Sequence, residues 1–363
     1  MAHSRMPPQV ELFCTVVDNF GDIGVTWRLA HQLQHEHGYA VRIWIDDLTA
    51  FARLEPQIDP AAPIQALQSV EVRTWSAQGD AARALLDAPL GHIIIEMFAC
   101  ELPAALIHQL SKQASKPRWI NLEYLSAEAW VEGSHGLTSI HPATGLAKTF
   151  FFPGFTARTG GLFRERNLLM RHQTFDVDAW RAARGLPLQA SLVSLFCYPN
   201  APVQALIDAW AAAGEGVTLL VPEGIAPQAV SQGPVTVRRL AFVTQPEYDE
   251  LLWACDLNFV RGEDSFVRAQ FAGKPFVWQA YEQGEGAHFT KLAAFMERAA
   301  LPDPVKALWR AWNRQPDALP VGVTQDQARA AMPEWRAHAL VWRDSLFSQD
   351  DLATKLVKVF QQR

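Results

Sequence analysis

The chain predicts an α/β protein made of two doubly wound, Rossmann-like domains in tandem with a helical tail. Three observations predict it. Apolar runs of strand length recur along the chain. Each is followed by a stretch of helical periodicity, an alternation that implies mostly parallel sheets. The pattern weakens once, around residues 123–175, and then starts again.

The elements follow in order. Residues 10–17 (VELFCTVV) read as a buried parallel strand. A loop follows, then a helix from Val25 to His37, with Gly38 placed to end it as a left-handed cap. Residues 41–45 (VRIWI), 92–97 (HIIIEM) and 118–122 (RWINL) are further strands, with a helix over 103–113. The stretch 123–175 is rich in Gly, Thr, Pro and His and reads as an excursion leading to a linker. Strands then fit 191–197, 216–221, 235–240, 256–260 and 275–278, and helices fit 201–213, 245–254, 265–272 and 286–299. A chain of 363 residues exceeds one ordinary core. The expected division is a first domain over 1–170, a second over 171–325, and a tail over 326–363 that packs back toward the first. Two such domains match the two-Rossmann glycosyltransferase architecture called GT-B. Ligands in these sheets sit beyond the carboxyl ends of the strands. The halves are therefore expected to face each other across a cleft, with nucleotide on the second half and acceptor on the first.

Composition narrows the class. Hydrophobic residues make up 49% and charged residues 19%, which fits a globular rather than a disordered chain. The net charge of −6 and the lack of a Lys/Arg stripe argue against a nucleic-acid binder. A weakly acidic enzyme still suits a basic macromolecular partner. Cys14, Cys100, Cys197 and Cys255 form no CxxC pair and lie in apolar surroundings. Buried thiols in a reducing cytoplasm are expected. No signal segment and no apolar run of about 18 residues suggest a membrane. The thirteen tryptophans are expected mostly in the core and the cleft.

Two stretches carry chemistry. In residues 256–278, DLNFVRGEDSFVRAQFAGKPFVW, a strand ends at Val260, a turn follows, and a helix starts near Ser265. A helix N-terminus suits a diphosphate. Ser265 can cap the helix and donate to a phosphate oxygen, Arg261 can clamp a phosphate, and Glu263 or Asp264 can accept from sugar hydroxyls. The plainer alternative is a capped helix with surface charges. Phe196 and Tyr198 lie just past one strand, and Phe242 and Gln245 at the next strand-to-helix junction. Rings there can stack on a nucleobase and Gln can read its amide edge, although each alone fits core packing.

The other stretch is DNFGDIG, with Asp18 and Asp22 flanking Gly21. Gly21 and Gly24 fall short of a dinucleotide fingerprint. A metal pair is possible chemistry for two carboxylates, but Asp176 and Asp178 read as helix capping and Asp46 and Asp47 as surface charge. No histidine ligand spacing is present. A proton remains: one carboxylate as general base, the other holding a cationic acceptor. A solvated loop with a helix cap would explain either aspartate alone.

The stretches DNFGDIGVTWRLA, LFCYPN and FVTQPEYDELLWACDLNFVRGEDSFVRAQFAGKPFVWQAY, and the order of nearly the whole chain, resemble the EF-P arginine rhamnosyltransferase family, EarP. The resemblance implies a metal-independent, inverting GT-B enzyme that needs no cofactor. It implies dTDP-β-L-rhamnose as donor and one arginine of elongation factor P as acceptor, in support of translation through polyproline stretches. It assigns the family's essential aspartates to Asp18 and Asp22. It assigns the nucleotide-sugar site to Phe196, Tyr198, Phe242, Gln245, Arg261, Glu263, Asp264 and Ser265. Asp22 is taken as the base, being nearer the helix mouth, with Asp18 and Glu263 as the other candidates. A different sugar-nucleotide transferase, or a noncatalytic nucleotide-sugar sensor, would keep the Arg261–Ser265 unit.

Overall fold

The computed structural model describes residues 7–76, 78–282 and 284–361. Thirteen strands form two sheets among the described residues. The first holds β1 (Gln9–Cys14), β2 (Ala40–Ile45), β3 (Ile64–Leu67), β4 (Val70–Thr74), β5 (Ile93–Met97), β6 (Arg118–Leu122), β7 (Thr138–Ile140) and β8 (Ala147–Phe151). Their order is β3-β4-β2-β1-β5-β6-β8-β7, parallel except for the β3–β4 and β7–β8 pairs at the two edges. The second holds β9 (Ser191–Leu195), β10 (Val217–Pro222), β11 (Val235–Leu240), β12 (Leu257–Arg261) and β13 (Phe276–Gln279) in the order β11-β10-β9-β12-β13, all parallel.

Chain order reverses beside β1 in the first sheet and beside β9 in the second. At these switch points the outgoing loops of neighbouring strands part, which leaves a crevice for a ligand. Residues 15–18 leave the first switch point and residues 196–198 leave the second.

The stretch 123–175 is more ordered than its composition suggests. It contains β7 and β8, and β8 pairs in parallel with β6 through Trp119 to Leu122. The strand is read poorly from sequence because its central residues are only half-buried and carry little apolar alternation.

Two compact units emerge, one of Met1–Arg166 with Gln349–Arg363 and one of Asn167–Ser348. The tail is thus divided between them. Helices Val321–Ala330 and Met332–Phe347 belong to the second unit, where Trp335 is buried and the Trp342 indole donates to Gln270 Oε1 at 2.9 Å. The last helix, Leu352–Gln361, belongs to the first unit. It buries Leu356 and Phe360, and Phe360 meets Tyr39 edge-on at 5.4 Å.

The first core gathers Phe13, Trp44, Trp75, Ile94 and Trp119, with Phe13 and Trp44 stacked at 5.6 Å. Glu11 is buried within β1, and burial raises its pKa while Arg42 and hydrogen bonds oppose the shift. It accepts from Arg42 at 3.1 Å, from the Trp44 indole at 2.7 Å and from Gly91 N at 2.9 Å, so this buried charge is satisfied. All four cysteines are free; Cys100 is half-buried and the others are buried. Among the described residues no helix is long and apolar enough to cross a membrane.

In the second unit a buried ion pair joins helix Gln245–Ala254 to helix Asp264–Ala272. Arg268 Nε and Nη2 donate to the two oxygens of Asp249 at 2.8 and 2.7 Å. Removing Arg268 deprives the buried Asp249 of its two short charge-assisted bonds and leaves Arg171, 3.8 Å away, as a weaker ion-pair partner. Arg268→Ala should therefore lower unfolding stability by about 3–5 kcal/mol, measured by urea denaturation.

Candidate active site

The first cluster forms where β1 gives way to a helix. The helix begins at Asn19, six residues before the expected start at Val25, so Gly21, Asp22 and Gly24 lie in its first turns and not in a loop. The early glycines hide the start, since glycine opposes helix by about 1 kcal/mol against alanine. Asp22 compensates. Its Oδ2 accepts from Val17 N at 2.9 Å and from Asp18 N at 2.8 Å, reaching back across the helix start as a capping-box acid does. Tyr124 adds a side-chain hydrogen bond. Asp22 is 2% exposed, and burial raises its pKa above the ordinary carboxylate value while these hydrogen bonds pull it down.

Asp18 stands just outside the helix and is half-buried. Its carbonyl accepts from Gly21 N at 2.6 Å. A Cβ on Gly21 would come within 2.6 Å of Asp18 Oδ2, so a side chain here would push the Asp18 carboxylate from its place. The two acids therefore differ: Asp22 is buried and tied to the backbone, whereas Asp18 is more open. Nearby Asp46 accepts from Val16 N at 2.9 Å, and Asp47 caps the helix Leu48–Leu54. Asp176 caps helix Val177–Ala183, as its sequence context suggests.

The second cluster lies past the carboxyl ends of β9 and β12. The Arg261 guanidinium sits 4.4 Å from the Phe196 ring centre and 4.6 Å from that of Tyr198. These two aromatics thus hold a cation, a use that sequence position alone did not suggest. Phe242, 41% exposed, meets Phe196 edge-on at 6.4 Å. Gln245 is buried at the start of its helix, where Thr244 N donates to Glu247 at 2.9 Å. Its amide donates to Asp264 Oδ2 at 3.0 Å, so the two residues read separately from sequence act as a pair.

Ser265 is not the cap of its helix. The helix is Asp264–Ala272, and Glu263 precedes it with no side-chain cap bond. The buried Ser265 hydroxyl donates to Arg261 O and accepts from Arg261 N at 3.2 Å. It pins the backbone that carries the guanidinium. Gly262 turns the chain with φ +63°, and the Trp278 indole donates to its carbonyl at 2.9 Å.

Sequence reasoning missed several neighbours. Gln279 accepts from Tyr198 N at 2.8 Å and donates to Asn200 at 2.8 Å, and Asn200 donates to Glu282 at 2.8 Å. A cavity of about 280 Å³ opens there, lined by Tyr198, Pro199, Asn200, Tyr281 and Glu282. The sequence signal was available: Gln279 ends β13, in register with Arg261.

A family model described as Elongation-Factor P (EF-P) rhamnosyltransferase EarP matches residues 10–361. A protein-arginine rhamnosyltransferase of Pseudomonas putida is 46% identical over 379 aligned positions, covering 97% of this chain and 98% of the relative. One of the same name from Pseudomonas aeruginosa is 42% identical, covering 96% and 98%. A solved structure described as the structural basis for EarP-mediated arginine glycosylation of translation elongation factor EF-P is 33% identical, with TM-score 0.61 and coverage of 98% and 99%. The calicheamicin glycosyltransferase CalG4 shares the fold, at 12% identity and TM-score 0.57, with coverage of 98% and 97%. The fold is GT-B, and matches that run from the first strand to the last helix place the chain in the EarP family of elongation-factor P rhamnosyltransferases.

Proposed function

We propose that this enzyme transfers L-rhamnose, with inversion and without a metal, from dTDP-β-L-rhamnose to an arginine side chain of elongation factor P in the cytoplasm. By this reaction it would support translation through polyproline stretches. The observation that carries the reading is the gathering of Asp18 and Asp22 at one helix mouth. A guanidinium is protonated at physiological pH and is a poor nucleophile. Two carboxylates meet both needs. Asp18 would hold the cation by charge-assisted hydrogen bonds, and Asp22, its pKa raised by burial, would accept the proton. A nitrogen–carbon bond then forms at C1 of rhamnose, the bond from C1 to the diphosphate oxygen breaks, and its electron pair leaves with dTDP.

The second cluster supports the donor half of the reading. Arg261 would stabilise the leaving diphosphate, a fixed charge that needs no reorganisation during reaction. The amides at the start of helix Asp264–Ala272 would add to it. Phe242 would stack on the base, while Glu263 and the Gln245–Asp264 pair would offer hydrogen-bonding groups to the base and sugars. The direct test is the intact mass of elongation factor P after incubation with enzyme, dTDP-β-L-rhamnose and EDTA. An added deoxyhexose is expected. No addition in either the presence or absence of Mg²⁺ would sink the reading, and addition only with Mg²⁺ would sink its metal-free part.

Three substitutions probe the roles. Asp22→Asn should keep dTDP affinity, since its amide oxygen can still accept from Val17 N and Asp18 N, and should cut kcat by about 10²–10⁴-fold. In the parent enzyme, kcat/KM should fall as pH drops through a value above the ordinary Asp pKa of about 3.9, because the base must be ionised. Gly21→Ala places a methyl against the Asp18 carboxylate, in a helix that tolerates alanine. It should lower kcat by about 10²-fold with an unchanged melting midpoint. Arg261→Ala should weaken dTDP binding in a calorimetric titration, as should Phe242→Ala, by about 1–3 kcal/mol for lost base stacking.

A further inference from the structure

A second cavity, of about 400 Å³, opens within the Asn167–Ser348 unit. It lies at the strand-start edge of the second sheet. Asp256 immediately precedes β12, and Lys274 and Pro275 immediately precede β13. The Arg261 cluster stands at the opposite ends of the same strands. Strands of four or five residues put about 13 Å or more between them.

The lining is cationic. Helix Met332–Phe347 supplies Arg336, Leu340 and Arg343, spaced four and three residues apart and hence on one face. Lys274 comes from the turn after Gly273, which ends helix Asp264–Ala272 in a left-handed conformation, φ +63°. A Cβ on Gly273 would lie 2.8 Å from Arg343 Cδ and 3.1 Å from its Nη1. The arginine is therefore laid directly over the turn that presents Lys274. His172 completes the wall.

The acids present are already engaged. Asp256 Oδ2 accepts from Arg181 at 3.1 Å and from Leu192 N at 2.9 Å, and its Oδ1 is 4.0 Å from Arg336. The exposed Asp344 carboxylate pairs with its neighbour Arg343 at 2.8 Å. The helix C-terminus contributes only about half a negative charge. Positive charge is left in surplus. Among the described residues the Lys274 ammonium makes no hydrogen bond or ion pair, although most of the side chain is buried. Burial lowers its pKa, with Arg181 and Arg336 adding to the shift and Asp256 opposing it. Burial, with Arg343 and Lys274, likewise holds His172 down to about 4. A half-buried ammonium that makes no hydrogen bond to the protein, beside two guanidinium groups, concentrates positive charge that a bound anion would offset.

We propose that this cavity binds a phosphoryl oxyanion, as free phosphate or as a phosphate monoester of sugar size. Lys274 and Arg343 are the principal donors and Arg336 closes the outer side. The site is separate from the donor-nucleotide reading and does not rest on it.

Calorimetric titration of the full chain at constant ionic strength tests it, with inorganic phosphate and with glucose 6-phosphate as probes. Saturable binding to the parent protein is expected. Lys274→Gln and Arg343→Gln should each weaken it by about 10- to 100-fold, the worth of a charged hydrogen bond, while Lys274→Arg stays near the parent. Both glutamine variants should bind dTDP as the parent does, which separates this cavity from the opposite edge of the sheet. Tighter binding of glucose 6-phosphate identifies a monoester site, and equal binding a free-phosphate site. The melting midpoint of each variant checks its folding, and Arg343→Gln decides if Lys274→Gln does not fold. No saturable phosphate binding to the parent, phosphate binding unchanged in a folded glutamine variant, or dTDP binding lost in that same variant would overturn the assignment.

Discussion

One oxygen of Asp22 accepts the backbone N–H groups of both Val17 and Asp18, and the first candidate site depends on that contact. A strand that runs into a helix leaves N–H donors unpaired at the junction. Here a buried carboxylate satisfies two of them, and in doing so sets the position of Asp18. Gly21 then allows the second carboxylate to lie against the helix start. The same side chain fixes the turn and is the proposed base. Its three hydrogen bonds favour the ionised form, whereas its burial favours the neutral one, and burial is the larger influence.

The second unit uses a comparable device with opposite charge. Ser265 bonds both backbone polar groups of Arg261, so the residue is held at the end of β12 before any ligand arrives. Phe196 and Tyr198 then support its guanidinium from below. The cost of placing a cation there is reduced by the rings, and its charge would stay available to the proposed diphosphate. Behind this cluster the Asp249–Arg268 pair locks together the two helices that carry Gln245 and Asp264. Their mutual hydrogen bond is thus a consequence of packing between helices that start from different strands.

The cationic cavity at the far edge of the second sheet arises from a segment outside either cluster. Lys274 lies at the strand-start edge because it precedes β13 and does not follow it. Arg336 and Arg343 reach the same place only because helix Met332–Phe347 packs across helix Asp264–Ala272.

By itself the sequence determined the two-sheet α/β class, most of the central strands, and the stretches that hold the candidate residues. Buried parallel strands are continuous apolar runs, and the strand-turn-helix junctions are local, so both are visible in one dimension. Asp18, Asp22, Arg261 and Ser265 all lie at such junctions. Only the tertiary structure decided what each side chain does there. The early start of the helix at Asn19 needs the back-bonding of Asp22, which outweighs the poor propensity of two glycines. The stacking of Arg261 on Phe196 and Tyr198 joins residues more than sixty apart, and the Gln245–Asp264 pair joins nineteen. The splitting of the tail was decided in the same way. Helices Met332–Phe347 and Leu352–Gln361 are separated by only a few residues, yet each goes to the unit whose core its apolar face can enter. Local pattern specifies that a face is apolar, but the partner that buries it is set by packing across long sequence distances.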